Sequence, residues 1–343
     1  AYISTGLPLQ PVVQDSKNFL RLMKDYNQKS AYRVSVPTLQ YALNLIAEAQ
    51  DDPLTLTGEA MDQQEFMDEA NQAHDFVALR TLHHRLLGLA LLFEEYDTAE
   101  EHFLSTQQLR FGVRWSFVTI EEIFLGALVY LSLSSEMPST ICATTSSSQK
   151  RKPTRRKLSV NRRKARQQIK KVETWVQRGN LNCVDMLHLL KAEEMALDAS
   201  RRRRRKKRES PHDEVRLAYE KAIQISMRSG FVHNTALANE RAAQYFLKIT
   251  MGDVDSPWHD WGVFYMRRAV ENYMEWGAWA KVHKLEWQYE FVSDLVSKHG
   301  QDGKGGRGSF QGRKRFKKRV FDQVERLSFD DLDVSGHSNK SGK

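Results

Sequence analysis

The strongest constraint in this sequence is a helical period that runs through almost all of it. Leu79, Leu82, Leu86, Leu87, Leu89, Ala90 and Phe93 recur at spacings of three and four. Leu217, Ala218, Ala222, Ile223 and Ile225 do so again. That spacing places apolar side chains on one face of an α-helix. No β-branched alternation with Asn-Gly or Asp-Gly turns competes with it. The expected fold is therefore all-α. The pattern predicts helices over 11–30, 36–50, 62–73, 75–93, 96–112, 116–133, 160–178, 183–199, 212–229, 233–249, 258–276 and 278–298, with a short one at 316–327. The 8 prolines, Pro37 among them, are expected at breaks. Short connections make sequential helices antiparallel neighbours.

Charge divides the chain into body and inserts. The net charge is +9, which on its face suggests a polyanionic partner. Yet 150–171, 201–208 and 304–319 together hold 28 of the 52 basic residues and no acid. The remainder has 24 basic against 43 acidic residues, so the body is acidic. Ser/Thr-rich or Gly-rich sequence flanks the basic tracts, and such segments bury too little apolar surface to offset ordering entropy. The expected organisation is helical repeats over 8–133 and a disordered basic insertion over 134–164. Tetratricopeptide-like repeats follow over 165–299, interrupted by a disordered basic insert at 200–211. A disordered tail occupies 300–343. The tracts are expected to be solvated loops. The alternatives are nuclear localisation, or weak contact with nucleic acid or an anionic surface. Arg155, Arg156 and Ser159 form a short basophilic kinase pattern, so Ser159 is a candidate phosphosite.

The pair Cys142 and Cys183 excludes a disulfide framework and a zinc module, and fits a reducing compartment. The longest clean apolar run, Ile123 to Leu133, has 11 residues and follows Glu121 and Glu122. It is too short for a transmembrane segment. The first residue is Ala1 rather than Met, as expected of a processed chain or a piece of a longer one. The expected location is cytoplasmic, with the nucleus as the alternative.

Within the C-terminal half a repeat is visible. Ala222 precedes Gly230 by eight residues, Ala269 precedes Gly277 by eight, and the two sets are offset by 47. A small residue permits close helix crossing, and Gly supplies a left-handed cap. Tetratricopeptide-type hairpins use this device, at a shorter period of about 34.

Three strings, YEKAIQISMRSGF (219–231), ALANERAAQYFL (236–247) and NYMEWGAWAKVHKLEWQY (272–289), carry a family likeness. They resemble the helical repeat region of large signalling proteins. Those proteins join a serine/threonine-kinase-like domain and a STAND/AAA-type ATPase module to GAF and histidine-kinase or cyclase output domains. A fainter likeness reaches upstream through Trp175, Asn182, Leu190, Ala192 and Glu193. The insertions at 134–164 and 200–211 and the loop at 250–262 depart from the family pattern. The resemblance implies a non-catalytic region of an ATPase/kinase-type signal-transduction protein, binding a protein partner or coupling neighbouring domains. It marks Asn239, Glu240, Trp276, Gly277, Lys281 and Glu286 as the interaction or packing motif. Asn239 and Glu240 are expected to bond backbone or the next repeat, with a ligand role for Asn239 as the alternative. Trp276 is expected to fill space between helices, with an aromatic peptide groove as the alternative.

Catalytic patterns are weak. Gly303, Gly305 and Gly308 satisfy GxGxxG without the strand and helix that a dinucleotide needs. No GxxxxGK[ST] occurs, so no cofactor is expected. His-Asp pairs at 74–75, 212–213 and 259–260, with His83 and His84 nearby, leave a helical metal-dependent phosphohydrolase as a further alternative. HExxH is absent. No residue is assigned as catalytic, cofactor-binding or metal-ligating.

Overall fold

The structure is a computed structural model that describes residues 2–47, 52–109, 117–135, 154–202, 211–293 and 295. The described residues are helical with no strand. Twelve α-helices occur among them: α1 Leu9–Asp25, α2 Lys29–Ile46, α3 Gln63–Gln72, α4 Phe76–Leu92, α5 Tyr96–Gln108, α6 Phe117–Ser132, α7 Arg155–Gln177, α8 Val184–Arg202, α9 His212–Arg228, α10 Val232–Thr250, α11 Pro257–Trp276 and α12 Trp279–Gln288. A 3-10 turn over Tyr2–Thr5 precedes α1. The chain to Ser293 is one compact unit. A second, Asp294–Lys343, lies almost wholly outside the described residues, as do the third basic tract and the helix expected at 316–327. No described helix is long and apolar enough to cross a membrane.

Three helices form the centre. α4, α6 and α10 bury side chains around most of their circumference, including Leu82, Leu87 and Leu89 of α4, Ile123, Ala127 and Leu128 of α6, and Ala236, Ala238, Ala242 and Ala243 of α10. A helix apolar on all sides belongs inside a core. Successive helices pack as neighbours: α1 on α2, α4 on α5, α6 on α7, α8 on α9 and α10 on α11. The last helix also returns to the beginning, with α12 resting on α2. Gly277 comes within van der Waals reach of Leu9, where an added Cβ would sit 3.8 Å away.

The repeat device has the expected geometry. Ala222 and Ala269 are fully buried, and Gly230 and Gly277 take φ of 74° and 88°. Gly277 closes α11 in a left-handed cap, and the Ala278 amide bonds the Tyr273 carbonyl at 2.9 Å. The linker between α10 and α11 is shorter than the 250–262 loop expected, because Pro257 starts α11 at its first turn. Trp258 then stacks on Phe246 with ring centroids 5.5 Å apart.

Two expectations need correction. The break expected near Pro37 is absent, since Pro37 lies buried inside α2. The chain turns instead at Asn27, which takes φ of 52°, a left-handed conformation that Asn tolerates. The second correction concerns 155–159, expected to be disordered but forming the first turn of α7 ahead of the helix expected from 160. Thr154 caps it by accepting from the Lys157 amide, and Asn161, Ala165, Ile169 and Val172 make a buried stripe at helical spacing. Its positive charge is met by neighbouring acids. Lys164 reaches Glu100 at 2.9 Å, Arg166 reaches Glu194 at 2.6 Å, and Arg162 pairs with Asp198. Residues 136–153 and 203–210 fall outside the described residues.

Helices approach closely at Gly126 of α6, where an added Cβ would lie 2.4 Å from the Phe103 ring of α5. That ring also meets Tyr130 edge-on at 5.7 Å. Gly126→Ala is expected to destabilise the fold by about 1–3 kcal/mol through overpacking, despite the better helix propensity of Ala, as read by urea denaturation.

Candidate functional site

The resemblance motif resolves into a buried clasp. Glu240 on α10 and Lys281 on α12 are essentially inaccessible and form an ion pair at 2.7 Å. Glu240 also accepts from the Tyr273 hydroxyl at 2.7 Å and from Gln244 at 3.0 Å. Lys281 donates a second bond to the carbonyl of Leu92, and Lys284 donates to the carbonyl of Phe93. Those carbonyls close α4. The last carbonyls of a helix lack intrahelical partners and carry its negative end, so two lysines of α12 cap α4. Alongside, Arg241 donates to Ser132 at 2.9 Å and to Tyr96 at 3.2 Å, tying α10 to α6 and α5.

The other motif residues are distributed around this clasp. Asn239 is fully buried and donates to the Thr235 carbonyl one turn back within α10, at 2.8 Å. Trp276 is buried with its ring 5.5 Å from that of His233, as expected of a space-filling residue. Gly277 is the cap described above. Glu286 meets only His283, at 3.4 Å and partly exposed, and is not brought into the clasp. Ser159 lies exposed on α7.

A second polar cluster was not anticipated. Glu121 and Glu122 open the apolar run of α6, where Glu122 is fully buried. Arg80 of α4 grips Glu122 with two bonds of 2.9 and 2.7 Å and bonds Thr119 at 2.9 Å. His84 sits between the acids, its Nε2 3.4 Å from Glu121 and its Nδ1 3.8 Å from Glu122. Burial works to raise the Glu121 pKa. The hydrogen bond from His84 and the charges of His84, Arg85 and His233 outweigh it and bring it down to about 2. Burial likewise opposes the charged form of His84, but its two carboxylate partners raise it overall. At His233 burial outweighs the nearby Glu121 charge and lowers the pKa to about 4. A cavity of about 60 Å³ adjoins the cluster, walled by Tyr41, His84, Arg85, Glu121, His233 and Trp276 among others. The one sequence signal for the cluster was two acids at the head of an otherwise apolar helix.

The metal alternative finds little to build on. His74 lies against Phe76, not against His83. His83 faces His102 instead, with Nδ1 atoms 3.1 Å apart and ring centroids 5.3 Å apart. That centroid separation is nearly the largest that such a nitrogen contact permits. The two nitrogens therefore point at each other, as in a hydrogen bond, rather than converging on a third point. Among the described residues no three of His, Cys, Asp and Glu are grouped to hold a metal. The thiol of Cys183 is buried and pushed up to about 11, which leaves it protonated and unreactive at neutral pH.

No protein-family profile, no curated protein and no solved structure matches this chain.

Breaking the clasp strands a charge. Lys281→Met is expected to cost about 3–5 kcal/mol by urea denaturation, because Glu240 stays buried without its cation. Adding Glu240→Gln to it should recover part of that loss, whereas additive losses would show that the two residues act separately. The pH dependence follows from the histidines. His102 and His233 are both held near 4, below the usual value of 6.5, by burial first of all. The unfolded chain then binds more protons between those values, so stability falls as pH drops from about 6.5 to 4. His102→Gln and His233→Gln should each flatten that limb of a stability–pH curve.

Proposed function

We propose that this chain is a non-catalytic helical-repeat scaffold. Its tetratricopeptide-like antiparallel hairpins stack as an α-solenoid and hold a protein partner, or couple neighbouring domains of an ATPase/kinase-type signalling protein. The observation that carries this reading is where the motif residues are spent. Glu240, Lys281, Trp276 and Gly277 hold helix against helix, so what they specify is packing geometry rather than a reacting centre. A repeat array needs that geometry to present a continuous surface. The location that suits it is cytoplasmic.

A second reading, a nuclear or nucleic-acid-associated adaptor, is favoured by one specific feature. Arg156, Arg163 and Lys170 of α7 recur every seven residues and are exposed, while Lys164 and Arg166 of the same helix are paired with acids. Such a stripe gives salt-dependent attraction to phosphates without base readout.

One titration separates the two. The scaffold reading expects the purified chain to bind duplex DNA of unrelated sequences equally and to release it by about 200 mM salt. The triple variant Arg156→Glu, Arg163→Glu, Lys170→Glu should weaken even that. A sequence-selective complex that survives this salt, and is lost in the triple variant, would overturn the scaffold reading. A stoichiometric transition metal lost on His74→Ala would overturn it in favour of the hydrolase.

A further inference from the structure

The 3-10 turn Tyr2–Thr5 belongs to no helix pair, yet Ile3 and Ser4 within it are buried. Ile3 is 5% exposed and forms one wall of the cavity, whose other walls come from α2, α4, α6, α8, α10 and α11. The Ser4 hydroxyl donates to Oε2 of Glu121 at 3.0 Å. Gly6 takes φ of 73°, and an added Cβ would lie 2.7 Å from Nδ1 of His233 and 2.8 Å from the Val232 amide nitrogen. An aliphatic side chain in a hole, a hydroxyl on a part-buried carboxylate and a glycine pressed to backbone therefore follow one another within four residues.

Those are the means by which a groove reads a peptide segment: pockets for particular side chains, and close main-chain approach where a side chain is barred. Nothing in them requires that the peptide be covalently continuous with α1. The groove is also incompletely filled, since the cavity of about 60 Å³ remains beside Ile3, with Arg85 and Trp276 in its wall. The charge of the site is suited to a neutral occupant. Glu121 accepts the Ser4 hydroxyl while balanced by His84 and Arg85, so a hydroxyl is welcome there and a second carboxylate is not.

We infer that the groove between α4, α6 and α10 is a peptide-binding site, held in this structure by the chain's own residues 3–6. The partner it fits is a protein segment with a large aliphatic residue, then Ser or Thr, then glycine two positions on. This rests on the reading of the chain as a protein-binding array. It adds the location of the site and the chemistry of the segment taken there. The tether gives residues 3–6 an effective concentration on the order of millimolar, so the intact chain resists free peptide and yields only to a tighter or locally concentrated partner.

The test uses a fluorescently labelled peptide of residues 1–9, AYISTGLPL, and its anisotropy. Ile3→Asp in the full chain disables the internal segment and leaves the groove walls unchanged. The peptide is expected to bind this variant about tenfold tighter than the unaltered chain. Adding Glu121→Gln should weaken that binding about tenfold. A peptide carrying Asp in place of its own Ser should bind no better than a scrambled one. Equal binding to the Ile3→Asp variant and the unaltered chain, or none to either, overturns the inference. Hydrogen exchange on the unaltered chain is a second measurement that does not depend on the variant folding. Amides of residues 3–6 should exchange by local opening, faster than those of α4 and α6. Exchange of 3–6 only on global unfolding would mark them as fixed core and also overturn it. Neither result touches the scaffold reading, whose test lies in the DNA and metal measurements.

Discussion

The structure depends on how α4 ends. Its last carbonyls face inward, where water cannot satisfy them, and a buried helix end without partners is costly. Lys281 and Lys284 supply the missing donors from a helix nearly two hundred residues away. Lys281 could not be buried alone, because an isolated ammonium in a core would lose its proton or unfold its surroundings. Glu240 makes the burial tolerable, and Tyr273 and Gln244 satisfy the remaining carboxylate lone pairs. One polar knot therefore ties α4, α10, α11 and α12 together. An apolar contact of the same size would hold them less specifically. It could slide by a turn, whereas a carbonyl, an ammonium and a carboxylate have one mutual arrangement.

Charge follows the same economy elsewhere. Most of the second basic tract and the first few residues of the first lie outside the described helices, but the rest of the first forms α7, where it is met by acids of α5 and α8. Only one face of α7 keeps its charges toward solvent. The acidic balance of the body is thus partly structural, because some of those acids exist to receive α7. Net charge alone could not have distinguished a helix neutralised by its neighbours from a loop repelling itself open.

Much of the helical layout was readable from periodicity, and the reason is physical. A helix half buried must repeat its apolar residues at three and four, as Leu79 to Phe93 and Leu217 to Ile225 do. The Ala–Gly repeat was readable because a close crossing and a left-handed cap each admit few residue types. What escaped were features that depend on partners distant in sequence. Glu240 and Lys281 stood out singly, but nothing local says that they meet across 41 positions. Arg80 and Glu122 are 42 apart and look like ordinary surface residues until their burial is known. Pro37 misled for a related reason, since tertiary packing of α2 outweighs the backbone bond that proline forgoes.

The fate of the motif residues bears on what such a likeness can carry. A pattern such as Glu–x–Ala–Ala and Gly–Ala–x–Ala–Lys constrains a fold when its members are buried or paired inside it, as Glu240 and Lys281 are with each other and Ala242 and Ala243 are in the core. It then speaks of how helices cross and says little about what the outer surface meets. On the proposed scaffold reading, specificity for a partner would reside outside that packing: on the exposed face of α7, or in the groove that residues 3–6 fill. The groove has the better claim to selectivity. A stripe of basic side chains attracts any polyanion, whereas a hole for an aliphatic chain beside a part-buried carboxylate would reject most peptides and admit a few.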